Sequence, residues 1–136
     1  MKLSENFTLE EMTRSSIASQ RHIPNVPDVS QIANLSKLCG SILQPIRNKF
    51  GAPIHVTSGF RCMALNRSVG GAQTSQHLRG EAADIVCHNN RKLWDTIVAL
   101  IRDGNLTVGQ LIDEKNLRWI HISLPTDRYK NLIIKL

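Results

Sequence analysis

A polar segment that runs directly into an apolar one places the strongest constraint on how this chain can fold. Residues 75–84 have the sequence SQHLRGEAAD, and their last residues open the apolar run AADIV at 82–86. A short apolar run of this kind predicts a buried strand, so the carboxylate of Asp84 enters the core. Because burying an unpaired charge is strongly unfavourable, Asp84 needs a partner there. A metal ion, a buried arginine or a set of backbone donors could each serve.

Two histidines can complete a metal site with this carboxylate. His77 precedes a turn that contains Gly80, and His121 lies in the run WIHIS, where Trp, His and Ser alternate with two isoleucines. The alternation predicts a strand with His121 on its polar face. Two imidazoles and one carboxylate, with a fourth position open to water, form a ligand set of catalytic zinc. The alternative is that each histidine is a surface or packing residue, since the chain has five.

Helical patterns dominate the first half of the chain. A capping box at residues 8–11 predicts a short helix that ends before Pro24. Apolar residues at three- and four-residue steps then predict a longer helix that Gly51 ends, with a kink at Pro45. We also expect a short helix near residues 64–69.

Strands and one further helix account for the second half. The predicted strands are 53–57, 82–87, 108–113, 118–123 and 131–135, with a helix from Asn89 or Asn90 to Gly104. The short link KNLR at 115–118 predicts a hairpin. Helices followed mostly by strands predict an α+β domain, with helices packed behind a small antiparallel sheet. No repeat or linker is evident, so residues 1–136 are expected to form one domain.

Composition and charge narrow the possible partners. The 17 Lys+Arg residues outnumber the 11 Asp+Glu residues, and a net charge of +6 suits an anionic partner such as nucleic acid, a membrane or a cell wall. The basic residues are scattered without a nucleic-acid motif, so we expect no nucleic-acid binding. No stretch has the length of a transmembrane helix, and we expect no membrane binding and a monomer.

The cysteines and the first residues bear on the compartment. Cys39, Cys62 and Cys87 are odd in number and widely spaced, which predicts buried free thiols and a reducing compartment. The start, MKLSENFTLEEM, contains no apolar signal region. We therefore expect synthesis in the cytoplasm.

Three ordered motifs give the chain a resemblance to a known enzyme family. The segments SGFR (58–61), SQHLRGEAAD (75–84) and WIHIS (119–123) resemble the zinc D-alanyl-D-alanine carboxypeptidase family, which shares its core with the hedgehog signalling domain. The family pattern S-x-H-x-x-G-x-A-x-D matches residues 75–84 without a gap. NFTLEEMTRS and LQPIRNKFG (43–51) resemble the N-terminal helices of short phage and bacterial members, so the resemblance covers nearly the whole chain.

The resemblance implies roles for particular residues. It assigns three zinc ligands: His77, Asp84 and His121. Arg61 matches an arginine near the substrate carbonyl, where it would stabilise the developing oxyanion, and Ser75 matches a position close to the substrate. Alternatively, Arg61 forms a salt bridge with Asp84 or Glu81, and this salt bridge holds its loop in place.

The sequence position of the predicted general base differs from its position in some members of the family. Some relatives carry Glu three residues before the last histidine, where this chain has Arg118. The sequence QLIDE, which ends at Glu114, instead resembles the Q-L-I-x-E of short members. If the hairpin pairs Glu114 with Trp119, Glu114 and His121 share a face; a shift of one residue would present Asp113. We favour Glu114 as the base, and the alternative is a solvated turn carboxylate.

The function implied by the resemblance is zinc-dependent hydrolysis of bacterial cell-wall (peptidoglycan) peptide. Two enzyme roles fit: a carboxypeptidase that trims a terminal D-alanine, or an endopeptidase of the phage-lysin type that reaches the wall after release. A third hypothesis of a different class is a non-catalytic zinc-containing module, for binding or structure, in a phage or mobile element.

Overall fold

Seven strands and six α-helices make up the chain, which the computed structural model describes from residue 1 to residue 136. In chain order they are β1 (Lys2–Ser4), β2 (Phe7–Thr8), α1 (Leu9–Thr13), α2 (Ser16–Gln20), α3 (Val29–Leu38), α4 (Gln44–Phe50), β3 (His55–Ser58), α5 (Met63–Ser68), β4 (Ala82–Val86), α6 (Asn90–Arg102), β5 (Gln110–Glu114), β6 (Trp119–Ser123) and β7 (Leu132–Lys135). A π-helical turn, Cys39–Leu43, joins α3 to α4, and a 3-10 turn, Gln76–Arg79, precedes β4. The α+β prediction is confirmed.

Five strands form the main sheet in the order β3-β4-β6-β5-β7. Neighbouring strands are antiparallel except for β7, which runs parallel to β5. The predicted antiparallel sheet is therefore mixed. The cause is the loop after β6, which returns the chain to the start of β5, where the backbone N–H groups of Asn131 and Leu132 donate to the carbonyls of Val108 and Gly109. The local sequence pattern does not indicate whether a strand runs parallel or antiparallel to its neighbour.

Alternation along the central strands separates a core face from a polar face. Ala83 and Ile85 of β4 and Ile120 of β6 are fully buried and belong to the hydrophobic core, in which helices α3, α4 and α6 also take part. Because successive side chains of a strand point to opposite faces, the intervening residues Asp84 and His121 lie together on the other face. The sheet thus places Asp84 and His121 on the face away from the core helices.

The helices of the first half differ from the prediction in two places. The predicted helix before Pro24 is two short helices, because the hydroxyl of Ser15 accepts from the N–H of Ala18 and caps a new start. The long helix is interrupted by the π-helical turn just before Pro45, where the N–H of Gln44 donates to the carbonyl of Cys39. Proline has no N–H for the ladder, so the pairing has to change near this point.

Two further expectations have structural outcomes. All three cysteines are free, but only Cys39 is buried, whereas Cys62 and Cys87 are partly exposed. The prediction of buried thiols is therefore wrong for two of them. None of the helices has the length and apolar character needed to cross a bilayer.

Candidate metal centre and active-site cleft

Three potential ligand atoms meet on the polar face of the sheet. Asp84 and His121 are direct cross-strand partners on β4 and β6, which brings their side chains together. His77 reaches the same point from the 3-10 turn. Oδ1 of Asp84 lies 3.1 Å from Nδ1 of His121 and 3.4 Å from Nε2 of His77. The structure therefore brings together the three residues that the sequence predicted as ligands.

The orientation of His77 is fixed from behind. Its Nδ1 lies 2.7 Å from the carbonyl oxygen of Gly59. A carbonyl oxygen only accepts, so Nδ1 carries a proton, which leaves Nε2, on the Asp84 side, as the nitrogen that would bind a metal ion. A backbone carbonyl in this position is a common way to orient a metal-binding imidazole.

The spacing of the three atoms suits a small tetrahedral metal ion. Atoms that bind zinc at about 2.0–2.1 Å in a tetrahedron lie about 3.3 Å from one another. The separations of 3.1 and 3.4 Å from Oδ1 of Asp84 are close to this edge length, and all three donors lie within 4.8 Å of one another. Two nitrogens and one oxygen are also the donor types that zinc accepts. The residues present therefore fit a zinc ion.

Arg61 lies beside this group and lines the same cleft. Its Nη2 is 3.5 Å from Oδ2 of Asp84, and its Nε donates to the hydroxyl of Ser58 over 3.0 Å. The alternative partner, Glu81, instead pairs with Arg79 at 2.7 Å. The salt bridge to Asp84 that was the alternative role for Arg61 is thus present, and Arg61 also lies on the wall of the cleft.

The hairpin sets which carboxylate faces the cleft. Glu114 pairs with Trp119, as predicted, and both line the cleft with His121. Asp113 points to the other side of the sheet, where it is buried and its Oδ1 accepts from the N–H of Leu117 over 2.7 Å. The structure therefore brings Glu114, and not Asp113, to the cleft.

Comparison with known proteins agrees with this geometry. The sequence model of the family described as peptidase M15 matches residues 5–123. The chain belongs to the peptidase M15 family. A zinc D-Ala-D-Ala carboxypeptidase from Streptomyces albus G is 48% identical over 44 residues, which cover 32% of this chain and 17% of that protein. The similarity to that relative is therefore confined to a small part of it.

The electrostatics of this M15 site favour an ionised Asp84. Burial alone raises the pKa of the Asp84 carboxyl. Hydrogen bonds from His121 and His77 and the attraction of their charge together lower this pKa by more than burial raises it, so it lies well below its usual range. Burial lowers the pKa of Arg61, and the charge of Asp84 opposes that shift. An ionised carboxylate is the form that binds a metal cation.

Ser75 has a structural part in the site as well as a place in the cleft. It lines the cleft, and its hydroxyl accepts from the N–H of His77 over 3.2 Å, which caps the 3-10 turn. At the other end of that turn Gly80 has φ +75°, and a Cβ there would lie 2.6 Å from the carbonyl oxygen of Gln31 on α3. The serine and the glycine of the motif therefore fix the turn that carries His77.

The cleft itself has a volume of about 530 Å³ and lies against a second cavity of about 380 Å³. The two share Thr74, Gln76 and Tyr129, and the second is also lined by Arg79 and Arg128. None of these residues was predicted from the sequence to belong to the site. Gln76 stands next to His77 in a matched motif, but the loop that contains Tyr129 carries no motif, so only the fold brings it to the cleft.

Proposed function

We propose that this protein hydrolyses peptide bonds in bacterial cell-wall peptides, with a zinc ion held by His77, Asp84 and His121. One observation carries the proposal: the three candidate ligands converge in a cleft whose walls also present a carboxylate, Glu114, and a guanidinium, Arg61. A metal site with a base and a cation beside it has the parts that peptide hydrolysis requires. Membership of the M15 peptidase family supports the same reaction class.

The side chains divide the reaction between them. A zinc ion bound here would lower the pKa of a water molecule and polarise the scissile carbonyl. Glu114 accepts a proton from the attacking water and passes it to the leaving amine. Arg61 donates hydrogen bonds to the carbonyl oxygen as negative charge develops on it. Ser75 contacts the substrate near the bond that is cleaved.

The shape of the cleft supports a substrate that extends in more than one direction. The adjoining cavity continues the cleft beyond Gln76 and Tyr129, so a peptide has room past the catalytic group. An endopeptidase needs such room, whereas removal of a terminal residue does not. The net charge of +6 suits the anionic polymer of a cell wall. We therefore favour an endopeptidase and keep a D-alanine carboxypeptidase as the second candidate, which the Streptomyces relative supports.

Purified peptidoglycan is the substrate that tests the proposal. The zinc-loaded protein is incubated with it, and the released fragments are identified by mass spectrometry. An endopeptidase releases fragments with a new amino terminus, whereas a carboxypeptidase shortens stem peptides by one alanine. His77→Ala should abolish both products. His22→Ala is the matched control, because His22 is exposed and does not line the cleft.

The same assay separates an enzyme from a binding module. A non-catalytic zinc-containing module would hold the metal but release no fragment in any variant. Pull-down on insoluble peptidoglycan then measures whether the protein binds the polymer without cleaving it. Zinc-loaded protein that binds and never cleaves would replace the peptidase proposal with the binding one.

A further inference from the structure

Asn66, which lies in α5 outside all the matched motifs, connects Arg61 to the wall of the cleft. Its side chain is almost completely buried, with 3% exposure. Oδ1 accepts from Nη1 of Arg61 over 3.3 Å, and Nδ2 donates to the carbonyl of Ala72 over 2.9 Å. The two partners require opposite ends of the amide, so only one orientation of the side chain satisfies both.

The backbone around Ala72 is shaped to this asparagine. The N–H of Gly71 donates to the carbonyl of Asn66 over 2.9 Å. A Cβ at position 71 would lie only 2.0 Å from Oδ1 of Asn66 and 3.0 Å from Nη1 of Arg61. Residues 70–72 themselves line the cleft. The contact between Asn66 and Arg61 therefore depends on a glycine, and the same asparagine holds that part of the wall.

Because Asn66 is uncharged, its hydrogen bond does not neutralise the positive charge of Arg61. Asp84 is the one carboxylate that contacts the guanidinium, and it is also a candidate metal ligand. Asn66 and Ser58 are uncharged acceptors that fix two other edges of the group. They hold the guanidinium in place without neutralising it. A long side chain that is already ordered before the substrate binds loses less conformational entropy on binding.

We propose that Asn66 is a positioning residue for Arg61, which it holds toward the substrate carbonyl oxygen. This proposal rests on the proposed peptidase function, because Arg61 has that role only if a peptide bond is cleaved. Asn66 itself does not line the cleft, so it acts through Arg61 and through residues 70–72.

A double-mutant cycle on zinc-loaded protein tests whether Asn66 acts through Arg61. Asn66→Ala should lower kcat by about 10–100-fold, the usual effect of losing a hydrogen bond to a charged group, while bound zinc stays at the wild-type level. In the Arg61→Ala background the same substitution should cause little further loss, because coupled residues are not additive. Asn48→Ala, which changes an exposed asparagine of α4, should leave kcat unchanged. Equal losses in both backgrounds would overturn the proposal.

A measurement without turnover separates this proposal from the peptidase assignment. In nitrogen NMR spectra the side-chain N–H signals of Arg61 should report restricted rotation in the wild type and freer rotation in Asn66→Ala. If that variant does not fold, Gly71→Ala displaces the same contact and should give the same change. A wild type without peptidase activity but with a restrained Arg61 would refute only the peptidase function. An Arg61 signal that is unchanged in a folded variant would overturn the positioning role itself.

Discussion

The Nδ1–H of His77 donates a hydrogen bond to the carbonyl of Gly59, 2.7 Å away. Gly59 in turn lies against α1, and the N–H of the following residue, Phe60, donates to the carbonyl of Met12 in that helix. A Cβ on Gly59 would come within 2.3 Å of that same carbonyl oxygen. The SGFR motif therefore joins the N-terminal helix to a candidate metal ligand through a glycine that cannot be enlarged without moving the loop.

Replacing Gly59 with alanine should therefore weaken zinc binding. The added methyl group pushes the loop away from α1, which misdirects the imidazole of His77, and loss of such a supporting contact typically costs about 10–100-fold in metal affinity. Competition against a chromogenic chelator measures the affinity. Gly40→Ala is the control, since nothing lies within 4 Å of a Cβ at that position. Unchanged zinc affinity in Gly59→Ala would show that the loop does not orient His77.

The purified protein should bind about one equivalent of zinc. His77→Ala and Asp84→Ala each remove one of three ligands and should reduce bound zinc to background, whereas His55→Ala, which changes an exposed histidine, should not. Elemental analysis of dialysed protein gives the stoichiometry. Full zinc content in both ligand variants would refute the site.

Removing the metal should lower stability without unfolding the chain. Zinc binds the folded site better than the unfolded chain, so saturation at about 100 times Kd adds about 2.7 kcal/mol to the free energy of unfolding. The core is a cluster of 23 buried residues and does not depend on the metal, so we expect the apo-protein to keep its circular dichroism spectrum and melt at a lower temperature. A chelator that abolishes the spectrum at room temperature would indicate a structural zinc.

Substitution of Glu114 should affect catalysis, whereas substitution of Asp113 should affect stability. Glu114→Gln keeps size and polarity but cannot take a proton, so turnover should fall by about 10²–10⁴-fold with zinc and fold intact. Asp113→Ala should instead lower the free energy of unfolding, because it removes the acceptor for the N–H of Leu117. Asp113→Asn keeps an acceptor oxygen and is the milder control. An inactive Asp113→Asn beside an active Glu114→Gln would show that the base is misassigned.

Cys39 should make the protein less stable at alkaline pH. Burial, helped by the charge of Glu11, raises the pKa of the Cys39 thiol from 9.0 to about 12. Between these values the unfolded chain loses the proton and the folded chain keeps it, so stability is complete below pH 9 and falls as pH rises toward 12. At about pH 10.5 the loss is about 2 kcal/mol. Urea unfolding of wild type and Cys39→Ala checks this: the advantage of the wild type should shrink from about pH 7 to about pH 10.5, and a constant difference would contradict it.

Features that depend on neighbouring residues could be predicted from the amino-acid sequence. Asp84 within an apolar run, the glycine after His77 and the four-residue hairpin link are local patterns, and they predicted a strand, a turn and a hairpin that the structure contains. The sequence left two registers of this hairpin open and favoured the one that pairs Glu114 with Trp119, which the structure has. The family motif then assigned roles that local patterns alone left open.

Contacts between distant parts of the chain became known only from the three-dimensional structure. The parallel direction of β7, the contact of His77 with Gly59 and the place of Tyr129 in the cleft each join segments without a shared local pattern. Even Asn66, five residues from Arg61, points to it only because residues 70–72 turn back over α5. Such hydrogen bonds depend on how strands and loops pack in three dimensions, and spacing along the sequence does not specify that packing.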